Sequence, residues 1–273
     1  MYLVKSIIDI FVVLLLLRLL IRSNEAYFDP IYGLIFKITD PVLIPARTVV
    51  REASKGVLLT LLGLVVLRGF VYLAVGLSSV VSAMAVSFLN LFQLLFQAYM
   101  VMWFVSVLSQ RSAFGTSFIN LIQRAFTPLN QAAARFGMQR RHFYPFAFLF
   151  LWIIYALLSA MIRFVTAPQA VVLPMIILNG FVEGLILVLG LFPFPGFFSL
   201  IIIVGALLSW VSPDPSNPVV QAVYGISEPL LRPFRRFVPL IGGLDLSPIV
   251  ALFCFQILGG VGRQIIARLL SSL

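Results

Sequence analysis

One cysteine, Cys254, and one histidine, His142, are all this chain offers of the two side chains most used for metals and redox chemistry. A lone cysteine inside an apolar run forms no intrachain disulfide and leaves the redox compartment unencoded. His142, beside Arg140 and Arg141, cannot make a His-based metal cluster, and no triad partner stands near it, so it reads as an interfacial residue. Neither a catalytic residue nor a cofactor is therefore expected. Charge is scarce as well. Charged residues make up 10% of the chain, against about 25% in soluble domains, and with 62% hydrophobic residues and a mean hydropathy of +1.11 a soluble globular fold is excluded. No polar segment interleaves aromatic with basic residues, so the net charge of +10 does not point to nucleic acid. The GGVG at 259–262 is no dinucleotide loop either, since no strand precedes it; close helix packing or a local kink accounts for it.

What is present is length without charge. Apolar runs occur near residues 3–21, 57–77, 84–108, 143–166, 171–192, 196–211 and 246–269. At 1.5 Å per residue, about 20 residues cover the roughly 30 Å hydrocarbon core. The expected fold is an all-α integral membrane bundle of about six spans, plus one interfacial or re-entrant helix. The first run is read as a retained helix rather than a cleaved signal, because its only early cation, Lys5, is followed by Asp9 and no A-x-A site appears before Arg22.

Two stretches, DPIYGLIFKITDPVLIPAR (29–47) and NPVVQAVYGISEPLLRPFRR (217–236), share one pattern. Pro30 matches Pro218, Pro41 matches Pro229 and Pro45 matches Pro233, each pair 188 positions apart. Asp29 and Asn217 suit an N-cap with proline at the first helical position. Apolar residues follow at helical spacing: Ile31, Leu34, Ile35 and Ile38, then Val219, Ala222, Val223 and Ile226. The [ST]-[DE]-Pro that comes next is expected to stop the helix, because a residue before proline leaves the α region. Such a helix is too short to span and belongs in the interfacial plane, its apolar side toward lipid or toward the bundle. A worn third copy lies at 114–136, with Thr127-Pro128-Leu129 and Arg135. The unit is thus span, interfacial helix, proline–arginine loop, span, and the chain divides into 1–78, 79–167 and 168–273.

Basic residues concentrate in three connections, 22–55, 109–142 and 211–246, whereas 76–83 and 166–170 carry none. The positive-inside rule places all three on the cytoplasmic side. Parity then requires 171–192 not to cross fully, and places both termini on the outer side. The absence of a transit-like extension favours a bacterial inner membrane over a plastid one.

Within the loops, Arg232, Arg235 and Arg236 sit close together behind Pro229 and Pro233. They either report topology alone or form a site for anionic lipid headgroups or a membrane-protein partner, with Arg47 as the first copy's equivalent. Three cations beside an anionic leaflet are worth on the order of 3 kcal/mol, about 1 kcal/mol each. Asp245 is placed to face these arginines, ahead of a helix with Ser247 as its cap and Pro248 at its first position. Deeper in the membrane stand Arg68 and Glu183, the latter framed by Gly180 and Gly184 in a G-x-x-x-G. A charge at the bilayer centre costs about 2.5–3.5 kcal/mol, so such residues find partners. Asn90, Gln93 and Gln97 add one polar stripe. This set either lines a hydrated path or holds the bundle together through an Arg68–Glu183 pair. Lys5 and Asp9 can pair at i, i+4, and Arg18, Arg163, Arg263 and Arg268 can snorkel to the nearest interface.

The run Glu228-Pro229-Leu230-Leu231-Arg232-Pro233-Phe234-Arg235-Arg236, followed by Gly242-Gly243, Asp245 and Ser247-Pro248, closely resembles the signature of the YggT family of small integral membrane proteins, related to YlmG proteins. The resemblance is dense over 209–256 and partial over 17–50. Family members commonly show one or two such units, where this chain shows three. Its first copy keeps one arginine and lacks the Gly-Gly-x-Asp-x-Ser-Pro tail. The resemblance implies no agreed activity. Members are linked to osmotic and potassium homeostasis, to envelope growth and division and, in plastids, to nucleoid distribution and cytochrome assembly. Two readings follow: a non-enzymatic envelope-organising or assembly factor, or a channel or transporter for ions or osmotic solutes.

Overall fold

A computed structural model describes residues 2–22, 24–50, 52–76, 79–109, 116–137, 139, 142–166, 173–211, 214–238 and 245–271. Arg111, Arg140, Arg141, Ala170, Gly242 and Gly243 lie outside the described residues. Among the described residues, the secondary structure is helical throughout. In chain order the helices are α1 (Tyr2–Leu20), α2 (Pro30–Val49), α3 (Ala53–Ala74), α4 (Val80–Ser109), α5 (Thr116–Arg135), α6 (Phe143–Thr166), α7 (Leu173–Leu189), α8 (Phe197–Val211), α9 (Pro218–Arg235) and α10 (Ser247–Ser271). The expected all-α membrane architecture is what forms.

Among the described residues, four helical segments are long and apolar enough to cross a bilayer: Ala53–Ala74, Val80–Leu108, Phe143–Phe164 and Ser247–Ile266. The chain is a multi-pass helical membrane protein. Two of the six expected spans differ in kind. Helix α1 carries Lys5, Asp9 and Arg18 within its 19 residues. Helix α8 has 15 residues, about 22 Å of rise, short of the hydrocarbon core. The segment expected as a lone interfacial or re-entrant helix is the 17-residue α7, joined to α8 by a tight turn. In that turn the Phe198 amide donates to the Leu191 carbonyl at 3.0 Å and the Gly196 amide to that of Pro193 at 2.6 Å. A Cβ on Gly196 would stand 2.5 Å from the Gly190 carbonyl oxygen, so only glycine fits there.

The chain forms two compact units, Met1–Ala98 with Trp152–Gly180, and Tyr99–Leu151 with Phe181–Leu273. In the first, α1, α2 and α3 pack mutually. Ile8, Val12 and Leu15, one face of α1, meet Leu43 of α2 and Val57 and Leu61 of α3. Gly180 of α7 lies against α6, where a Cβ would come within 2.6 Å of the Ala156 carbonyl and the Ser159 hydroxyl. That is the close helix approach its G-x-x-x-G suggested. In the second unit α8, α9 and α10 pack mutually. Phe192 packs edge-to-face against Phe104 and Phe255 and tilted against Phe198, with ring centroids 5.0–5.3 Å apart, each such pair worth about 0.5–1.5 kcal/mol beyond its buried area. Gly259, in the GGVG run, is pressed against Pro193, whose Cδ would be 2.4 Å from an added Cβ. Close packing is therefore the purpose of that run.

Candidate functional site

The repeated proline–arginine segments begin as their sequences dictate. The Asp29 carboxylate accepts from the amides of Ile31 and Tyr32 at 2.9 and 3.3 Å, and the Asn217 side chain accepts from the Val219 amide at 2.9 Å. Their ends differ from expectation. Helix α2 runs through Pro41 and Pro45, α9 through Pro229 and Pro233, and α5 through Pro128. Proline removes one helical hydrogen bond and crowds the preceding turn, but neither effect stops these helices. Pro41, Pro45 and Pro233 lie on exposed faces, so the missing bonds fall where polar surroundings meet the carbonyls, while the buried stripe packs undisturbed. The loop expected after each short helix is instead the helix's last two turns.

Continuity decides which faces are used. In α2 the buried residues are Tyr32, Thr39, Leu43 and Ala46, while Leu34 and Ile38 of the expected apolar stripe are exposed. In α9 the expected Val223 and Ile226 are buried, joined by Val220, Ser227, Leu230 and Leu231, and Val219 is exposed.

An unbroken helix also places residues seven apart on one side. Arg47 Nη2 donates to Asp40 Oδ1 at 2.6 Å, and 188 positions later Arg235 pairs with Glu228 in the same way. Each copy then adds one further group. In the first, Arg18 of α1 pairs with Asp40 at 2.8 Å, donates to the Thr39 hydroxyl at 2.5 Å and to the Phe36 carbonyl at 3.2 Å, and lies 4.0 Å over the Phe36 ring. Arg18 is 8% exposed and does not snorkel. Its stem is too close to α2's polar notch, where Thr39 and Asp40 replace the hydration it would seek outside. In the second copy Asp245 accepts from Arg235 Nε at 2.7 Å and from the Ser247 amide at 2.9 Å. The expected contact between Asp245 and the arginines thus forms, through Arg235. Helix α10 starts at Ser247 itself, with the Asp245 carboxylate on that residue's amide.

These contacts set the charges. Partial burial opposes ionisation of Asp40, but the Arg18 and then the Arg47 guanidinium outweigh it, and the carboxyl stays below the usual carboxylate range. Burial likewise opposes ionisation of Asp245, and hydrogen bonds from Ser247 and Arg235 overcome it, again lowering the pKa. For Arg235, burial disfavours the cation but Glu228 and Asp245 more than restore it, so its pKa is raised. Arg232 and Arg236 are exposed and make no ion pair among the described residues.

The deeper charges also differ from expectation. Arg68 is 0% exposed, and its partner is Asp9 of α1 at 2.5 Å, not Glu183. Its Nε donates to the Ser87 hydroxyl at 3.1 Å and its Nη2 to the Ser87 carbonyl. Ser87 in turn donates to the Val65 carbonyl at 2.6 Å. Asp9 thereby serves Arg68 rather than Lys5. A fully buried guanidinium needs a countercharge, whereas Lys5 has solvent near the helix end. Asn90 donates to the Tyr72 hydroxyl, and Asn90, Gln93 and Gln97 are all half-buried on α4. Glu183 is half-buried on α7. Arg263 Nε folds back on the Gly259 carbonyl at 3.0 Å. Among the described residues no group of three His, Cys, Asp or Glu is placed to hold a metal.

Sequence reasoning gave Arg18 and Asp9 other roles, and missed Ser87 and the Asp40–Arg47 and Glu228–Arg235 pairs. The last two had a signal: an acid and an arginine seven apart, repeated at the same offset, are same-face neighbours once the helix is continuous.

Comparison with known proteins agrees with the second copy. Residues 184–266 match the family model described as CCB3/YggT. A 62-residue stretch is 53% identical to an uncharacterised protein of Pseudomonas aeruginosa, covering 23% of this chain and 30% of that protein. Over 58 residues, 21% of this chain and 30% of its relative, identity to the uncharacterised protein YggT of Escherichia coli is 36%. Over 70 residues, 26% of this chain and 28% of its relative, identity to YlmG homolog protein 2, chloroplastic, of Arabidopsis thaliana is 39%. The matched stretches thus span about 30% of the length of these relatives. No solved structure matches. Residues 184–266, which hold α8, α9, most of α10 and the Glu228–Arg235–Asp245 cluster, are thus the part of this chain that matches the CCB3/YggT family.

Proposed function

We propose that this chain is a non-enzymatic, YggT-type protein of the bacterial inner membrane. It organises or helps assemble other envelope components through the basic faces of its proline–arginine helices, with anionic lipid headgroups and a membrane-protein partner as the groups engaged. The observation that carries this reading is the division of labour in α9. Arg235 is consumed by Glu228 and Asp245, whereas Arg232 and Arg236 on the same two turns stay exposed, beside the start of the α10 span. Cations held so by a rigid amphipathic helix suit an anionic surface on the cytoplasmic side. The order apolar helix, amphipathic proline helix, apolar span recurs as α1–α3, α4–α6 and α8–α10, which supports reading the chain as three units of one design.

The test is lipid selectivity. After reconstitution in mixed phosphatidylglycerol and phosphatidylcholine and extraction in mild detergent, the wild type is expected to retain phosphatidylglycerol preferentially. Arg232→Gln with Arg236→Gln removes about 2 kcal/mol of attraction, roughly a 30-fold loss of preference. An unchanged lipid ratio in a folded double variant refutes the headgroup role. The alternative, a channel or transporter for potassium or osmotic solutes, has less support. Two of its proposed path residues, Arg68 and Asn90, are tied to Asp9, Ser87 and Tyr72. Proteoliposome potassium flux abolished by Arg68→Gln with Glu183→Gln would revive it.

A further inference from the structure

We propose that the cavity among α8, α9 and α10 is a binding site for a guanidinium group, and that the first copy shows the same site with its occupant in place. In the first unit the Arg18 guanidinium is held by three residues of α2: the ring and carbonyl of Phe36, the hydroxyl of Thr39 and the carboxylate of Asp40. Their counterparts 188 positions on are Tyr224, Ser227 and Glu228. All three line one cavity of about 610 Å³ in the second unit, within the range of about 300–1,000 Å³ typical of ligand sites. The counterpart of Arg18 at the same offset is Ala206, which lines that cavity too. The long cation that fills the site in one copy is a methyl group in the other, and the surrounding groups are kept.

Three features of the cavity suit a guanidinium rather than an apolar or anionic group. Thr39, 0% exposed, accepts from Arg18 and donates to the Ile35 carbonyl at 2.7 Å. Ser227, 1% exposed, offers a hydroxyl at the position 188 residues on. Charge agrees. Asp40 faces two cations, Arg18 and Arg47, whereas Glu228 and Asp245 share one, Arg235. The second cluster is thus one positive charge short of neutrality. Tyr224 supplies an aromatic face where Phe36 does, and a planar, weakly hydrated guanidinium stacks on such a face better than an ammonium. Leu231 and Trp210 provide apolar wall for the stem of the group. The site stands apart from the lipid-facing role of Arg232 and Arg236.

Saturation-transfer NMR with the full chain in detergent micelles tests this directly, using propylguanidinium as probe and propylurea as its neutral isostere. Propylguanidinium is expected to bind and propylurea not to. Glu228→Gln should weaken binding roughly tenfold or more, the loss of one charge-assisted contact. Ala206→Arg should abolish it, because the chain then supplies its own guanidinium as it does at Arg18. Conversely, Arg18→Ala should open a second site, and the probe stoichiometry should rise from one to two. Absence of binding, equal binding of both probes, or binding that survives Ala206→Arg in a monodisperse protein overturns the proposal. If Ala206→Arg does not fold, Glu228→Gln and the Arg18→Ala stoichiometry decide it. A free guanidinium compound and an arginine side chain of a partner share this chemistry. A photo-crosslinker in place of Trp210 separates them in cells. A polypeptide adduct that Glu228→Gln removes identifies the partner's arginine, and probe binding with no such adduct identifies a free compound.

Discussion

Asp9→Asn is the most informative single change in the first unit. It keeps the size of the side chain and an acceptor oxygen while removing the countercharge of Arg68, which lies fully buried with Ser87 as its other contact. A buried cation stripped of its partner costs about 3–5 kcal/mol. Asp9 is itself 23% exposed, so water screens part of the interaction and the lower end, about 3 kcal/mol, is expected. Arg68→Met leaves Asp9 and the Ser87 carbonyl without their donor and should cost a similar amount. The double variant removes both charges at once, so its loss should stay near about 3 kcal/mol rather than the sum of the two, a coupling of about 3 kcal/mol. Reversible unfolding in mixed micelles, driven by a denaturing detergent and followed by circular dichroism, measures all four corners of this cycle. Additive losses would refute the pairing. If Glu183→Gln rather than Asp9→Asn spared the Arg68→Met protein, the countercharge would be Glu183 and the account of this cluster would be wrong.

Other consequences follow from the same contacts. The Asp40 carboxyl has a depressed pKa in the folded protein, so its contribution is fully present above the unfolded value of about 3.9 and is lost as pH falls through the folded one; Asp40→Asn should therefore be less stable than the wild type at neutral pH and show a shallower loss of stability below about pH 4 in an acid titration. Gly180→Leu should cost about 1–3 kcal/mol by forcing α6 and α7 apart, because even a Cβ there meets Ala156 and Ser159 at 2.6 Å. Gly260→Ala, with open space around its Cβ, should be neutral or stabilise α10 by up to about 1 kcal/mol in the same detergent-driven unfolding measurement.

Much of the fold was legible because membrane helices announce themselves locally. A run of apolar residues must satisfy its backbone internally, so composition and length alone lead to helices, and Asp29-Pro30 and Asn217-Pro218 mark two starts through a side chain and a fixed φ within three residues of each other. The second copy was legible in more detail than the first, since Asp245 stands ten residues from Arg235 and a loop of that length brings them together. Prolines misled in both copies. Proline's local penalty is real, but Pro41 and Pro45 lie on the side of α2 away from Leu43 and Ala46, and the packing of the buried side outweighs it.

The sequence by itself determined the class of structure, the repetition at 188 positions and the caps that begin each amphipathic helix, because all of these depend on neighbours within a few turns of chain. Only the tertiary structure decided where the charges went. Arg68 and Asp9 are 59 residues apart and Arg18 and Asp40 are 22 apart. Each cation had several acids in the chain to choose from. The choice belongs to the packing of α1 against α2 and α3, since a buried charge pairs with the acid that helix packing carries to it, and no local pattern records which one that is.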